Sequence, residues 1–153
     1  MPEPMPEPIP APTPAPTPDW LLPGPFPAAF ATAERCTITE LLNDPACPGV
    51  SLALARVEPG VTTRLHAVEG TVERYVVLGG EGVVEVGGAT ARVAAGDRVL
   101  IPAGVPQRIA ATVDRALEFH CVCTPRFRQD NYRDLGDPPA PEAVTAPFPR
   151  SPR

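Results

Sequence analysis

Residues 59–88 read PGVTTRLHAVEGTVERYVVLGGEGVVEVGG, and residues 94–110 read AAGDRVLIPAGVPQRIA. Short apolar runs are cut by glycine or proline at close intervals, the pattern of an all-β sandwich or barrel. Gly87-Gly88 sits inside VEVGGATARV, where a two-residue hairpin wants positive φ. Gly79-Gly80 and Ala95-Gly96-Asp97 mark two further turns. Pro102 ends a strand sharply, because it has no donor for the ladder. Working outward, the candidate strands are 36–41, 51–57, 62–66, 73–78, 82–86, 89–93, 98–101, 107–111 and 116–123. No long segment has a 3.6-residue apolar period, and only 128–135 reads as a short helix.

The spacing of particular residues is more specific than the strand pattern. Gly60, His66, Glu73 and Gly80 fall where the first signature motif of the cupin family has its glycine, first histidine, glutamate and closing glycine. Val68 stands at that motif's second histidine. Gly96, Pro102 and Gly104 match the second motif, and Gln107 stands where it has a histidine. The segment from about 57 to 123 therefore resembles a small single-domain bacterial cupin with an incomplete metal-ligand set. The resemblance implies an all-β double-stranded β-helix, a jelly-roll-like barrel, with His66, Glu73 and Gln107 converging at its mouth.

A neutral imidazole, a carboxylate and an amide oxygen can together hold a divalent ion, and such donors suit iron, manganese, nickel or zinc. The resemblance thus implies a metal on His66, Glu73 and Gln107, more weakly held than in a full cupin site, with a small-molecule ligand or substrate. Glu73, Tyr75 and Val77 share one strand face by the two-residue period, and the resemblance turns that face inward. An alternative is a metal-independent isomerase or epimerase, with the His66–Glu73 pair as base and Tyr75 as proton donor. A third reading is a non-catalytic binding cupin tethered to a partner. The bland reading is a hydrogen-bonded His66–Glu73 pair that merely closes the barrel mouth.

Other chemistry-bearing residues read more plainly. Alternation along 116–123 puts Leu117, Phe119, Cys121 and Cys123 on the buried face and turns His120 away. The four cysteines lack metal-knuckle spacing, so Cys121 and Cys123 read as small apolar packing residues, with pocket lining as the alternative. Glu69 could lean over the mouth, and Arg64, Arg74 or Arg108 could receive an anion; solvated charge is the default for each.

Composition bounds the rest. The chain has 153 residues, a net charge of −5 and no lysine, which removes lysine Schiff-base chemistry. Its arginines are scattered, giving no basic stripe for nucleic acid. No apolar run has transmembrane length and no secretory signal opens the chain, so a cytoplasmic protein with free thiols is expected. Of 24 prolines, twelve lie in the first 27 residues. Residues 1–27 therefore read as a disordered proline-rich arm, 28–136 as the barrel and 137–153 as a flexible tail. The barrel's edge strands call for cover, and a homodimer pairing through 36–41 and 51–57 is expected.

Overall fold

The computed structural model describes residue 11 and residues 13–139. Most of the proline arm's first half, and the tail from 140 onward, lie outside these residues. Residues 13–27 contain no helix or strand. Two antiparallel sheets make the body. One runs in the order β1 (Phe30–Ala31), β2 (Thr37–Leu42), β3 (Ser51–Val57), β10 (Leu117–Thr124), β5 (Val72–Gly79) and β8 (Arg98–Ile101). The other runs β11 (Tyr132–Asp134), β4 (His66–Val68), β9 (Gln107–Ala111), β6 (Glu81–Val86) and β7 (Ala89–Ala94). Apart from β1–β2, β2–β3 and β6–β7, neighbours in each sheet are distant in sequence, which is the expected double-stranded β-helix.

Burial follows the two-residue period. Glu73, Tyr75 and Val77 of β5 are buried while Arg74 and Leu78 are exposed. Leu117, Phe119 and Cys123 of β10 are buried on the same inner face. Val57, Val77, Val84, Ile101 and Leu117 pack between the sheets. Burying each such side chain contributes about 1.5–3 kcal/mol. Gly80 and Gly82 permit the crossing between sheets. A Cβ at either would lie 2.2 Å from a carbonyl oxygen, of Ala116 and Ala110 respectively.

Two expected elements differ. The strand expected at 62–66 begins instead at His66; Thr62 makes only an isolated bridge to Ala110. The local cause is Thr63, whose amide donates to the Ile109 carbonyl while its hydroxyl accepts from the Ile109 amide. The helix expected near 128–135 is a single 3-10 turn, Gln129–Asn131, followed by β11. Pairing of Tyr132, Arg133 and Asp134 with Val68, Ala67 and His66 extends the chain there. Among the described residues, no helix is long and apolar enough to cross a membrane.

The segment after β11 is tied to the barrel by arginines. Arg64 pairs with Asp134 at 3.2 Å, and Arg35 grips Asp137 with two bonds of 2.9 and 2.6 Å. Arg108 is buried, paired with Glu85, and donates to the Pro138 and Pro139 carbonyls at 2.7 Å each. Its guanidinium is thereby spent on the fold, so the anion-receiving role considered for Arg108 fails.

Candidate active site

Towards β2 and β3 the interior is not filled, and a cavity of about 760 Å³ remains. His66, Val68, Glu73 and Tyr75 line it, as the strand alternation requires. His66 enters from β4 of one sheet, and Glu73 and Tyr75 from β5 of the other. Cys36, Cys121 and Cys123 line it too, so the two β10 cysteines are wall as well as packing. Gln107 is directly opposite His66 in the β4–β9 register but is not among the lining residues.

His66 is held from one side. Its Nδ1 lies 2.9 Å from the Arg64 carbonyl and 3.2 Å from Glu34 Oε2. A carbonyl accepts only, so Nδ1 carries a proton and Nε2 is the basic nitrogen. Glu34 was invisible to motif spacing, since it lies in the loop before β2. Its carboxylate also accepts from the Cys36 thiol at 3.2 Å and the Tyr132 hydroxyl at 3.4 Å. Tyr132 stacks on the His66 ring with centroids 5.2 Å apart. The loop is aimed by Arg35, whose φ of 73° is in the left-handed region, and by the bond from the Arg64 amide to the Glu34 carbonyl.

Glu73 lies in a different setting. It is 6% exposed and accepts from the Cys123 thiol at 3.4 Å. Burial pushes its carboxyl above the usual range, against the opposing pull of His66. Burial likewise raises the Tyr75 hydroxyl well above its ordinary value, with Glu73 adding to the effect. The Tyr75 hydroxyl donates to Gln107 Oε1, a contact that joins the two sheets across the barrel. Gln107 is 1% exposed, and its Nε2 has no hydrogen-bond partner. The thiols of Cys36, Cys121 and Cys123 are all raised, first by burial and then by nearby carboxylates, Cys36 to about 12. They are neutral donors rather than nucleophiles at ordinary pH.

The metal set implied by resemblance does not fit this arrangement. Gln107 could offer only its oxygen, which accepts from Tyr75 and does not line the cavity that His66 and Glu73 face. Val68 supplies no donor, and among the described residues no three His, Cys, Asp or Glu side chains group to hold an ion. The remaining candidates lie elsewhere. His120 faces out of the cavity, opposite Leu54 and Val76. Glu69 pairs with Arg133 at 2.9 Å, and Arg74 is exposed on the outer face of β5.

The buried glutamate makes a pH test possible. A carboxyl raised in the folded state binds its proton more tightly there, so its burial favours folding at low pH. That contribution is lost as pH rises from the ordinary carboxylate range through the folded value. Glu73→Gln should therefore raise the Tm by a few degrees at pH 8 and change it little at pH 4. Thermal melts of both proteins check this; an equal shift at the two pH values would show that Glu73 is not raised.

A family model for the Cupin domain matches residues 53–123. No curated protein matches the chain. Among solved structures, Pac13 of Streptomyces, a nucleoside dehydratase, superposes with TM-score 0.63 at 16% identity, covering 76% of this chain and 93% of that one. A variant of that protein is also solved with uridine. The polyketide cyclase RemF of Streptomyces resistomycificus gives 0.60 at 22% identity, over 71% and 79%. A predicted oxalate decarboxylase of Thermotoga maritima gives 0.58 at 27%, over 65% and 92%. The two Streptomyces enzymes are less than a quarter identical, so their likeness speaks for the fold alone. With both motifs, the domain match and the barrel topology in agreement, residues 53–123 of the chain form a Cupin domain.

Proposed function

We propose that this cupin is a metal-independent acid–base enzyme acting on a small molecule in the barrel cavity. One observation carries the reading: a base and an acid face one cavity, each set by its own surroundings. His66, with Nδ1 committed to Glu34 and the Arg64 carbonyl, presents Nε2 as proton acceptor. Glu34 stabilises the imidazolium that forms. Glu73, raised by burial, is the proton donor. Pairs whose environments separate their proton affinities are how acid and base roles are divided in one site. Tyr75, bonded to Gln107, holds the cavity wall beside Glu73; its raised hydroxyl makes it a poor proton donor.

The chemistry supported is removal of a proton from a carbon next to a carbonyl, with protonation of an oxygen on the substrate's other side. Isomerisation, elimination of water and ring closure all use that pair. That Pac13 is a dehydratase and RemF a cyclase accords with this, without assigning either reaction here. The metal alternative, on His66, Glu73 and Gln107, has less support because Gln107 does not line the cavity that His66 and Glu73 face. Chelator-treated protein should exchange α-hydrogens of small cyclic ketones for deuterium in heavy water, read by NMR. Exchange that appears only on adding iron, manganese, nickel or zinc would reverse the order of the two readings.

A homodimer is part of the proposal, with a revised edge. β3 is paired on both sides by β2 and β10, so 51–57 has no free edge. β1 covers only Thr37 and Ile38 of β2, leaving Thr39–Leu42 open beside the exposed Phe30 and Leu42. Sedimentation at micromolar concentration should give twice the chain mass; a monomer would refute the pairing.

A further inference from the structure

We infer that the cavity takes an uncharged, ring-bearing molecule with a hydroxyl or carbonyl at its inner end, and that the Glu34 carboxylate rejects carboxylate ligands. The inference rests on the acid–base reading only for the inner end, where the reacting oxygen must meet His66 and Glu73.

Shape and charge argue for it separately. The volume of about 760 Å³ suits a ligand of more than one ring, in the range of small-molecule sites. Phe30, Ile38, Leu52, Phe119, Phe127 and Ile109 supply flat and branched apolar wall. The three thiols add neutral surface. The inward charge beside the His66 imidazole is the Glu34 carboxylate, 3.2 Å from its Nδ1, while Glu73 adds a buried, neutral carboxyl. An anion placed there would face the Glu34 carboxylate, or require it to take up a proton.

The cations of the lining lie among residues 126–128 and are partnered. Arg126 donates to Asn43 Oδ1 at 2.9 Å, and the Asn43 amide donates to Glu40 at 3.2 Å. Arg128 is paired with Asp130. Neither guanidinium stands alone at the inner end to receive a carboxylate. Glu34 lies outside the matched domain, in the loop aimed by Arg35, so this selection is a property of this chain's own N-terminal segment.

The test compares 2-naphthol with 2-naphthoate, the same ring bearing a neutral or an anionic group, by calorimetry on the full chain at pH 7.5. The chain has two histidines, so NMR of the ring protons locates binding without ambiguity. Naphthol should bind at least tenfold more tightly and move the His66 signals but not those of His120. Glu34→Gln should narrow the gap to about threefold, and Glu73→Gln, measured separately, should leave it unchanged. Naphthoate binding as tightly as naphthol, or neither probe binding at millimolar concentration, would overturn the inference. So would unchanged selectivity in a folded Glu34→Gln protein. Because binding alone is read, failure here leaves the deuterium-exchange test of the acid–base reading standing, and the reverse also holds.

Discussion

Gly80→Ala should destabilise the protein by about 4 kcal/mol or more, the exceptional end of single substitutions. Two costs coincide at this position. The backbone has φ +82°, where a Cβ is strained. The added carbon would also sit 2.2 Å from the Ala116 carbonyl oxygen and 3.0 Å from the Leu117 Cα. Both contacts are backbone atoms of the approach to β10, and β10 bonds to β3 and β5 at the centre of its sheet. Neither neighbour can rotate away as a side chain would. Gly88→Ala is the control: its φ is +84°, yet a Cβ there meets nothing within 4 Å. It should cost only about 1 kcal/mol. Urea unfolding of the two variants separates backbone strain from collision. Equal losses would mean that the close approach at Gly80 does not exist.

His66→Asn should lower deuterium exchange by about 10²- to 10⁴-fold, the range for a lost general base. Asparagine keeps a polar group near the Arg64 carbonyl and Glu34 but offers no basic nitrogen. The fold should survive, because Glu34 retains the Cys36 thiol and the Tyr132 hydroxyl as donors. Circular dichroism and the Tm of the variant provide the check on folding. Exchange that persists at the wild-type rate in a folded variant would remove His66 from the chemistry.

The barrel was legible because its signals are local. Turn glycines, Pro102 and two-residue alternation place β3, β5 to β10 within a residue or two, and motif spacing puts His66 and Glu73 on inward faces. The misses come from long-range pairing. Residues 128–135 have no apolar alternation to mark β11; its strand exists because β4 offers an edge. Residues 62–65 look extended but are held as a loop by Thr63 and by the Glu34 carbonyl. Spacing also located Gln107 without saying where its oxygen points. That is decided by Tyr75, from the opposite sheet, whose hydroxyl donates to it behind the cavity lining. Glu34 had no signal at all, since a glutamate in a loop carries no information about which strand it will face. The part of the site outside the family motif was therefore the part that could not be read.

The most direct measurement of the central claim is the protonation of Glu73 at neutral pH. Infrared difference spectra between wild type and Glu73→Gln, taken in heavy water, isolate the carbonyl stretch of a protonated carboxyl. An acid facing the His66 base predicts such a band at pH 7 in the wild type, absent from the variant, and persisting after chelator treatment. A difference spectrum showing only an ionised carboxylate would contradict the account, leaving Glu73 with no proton to give and the site without its acid.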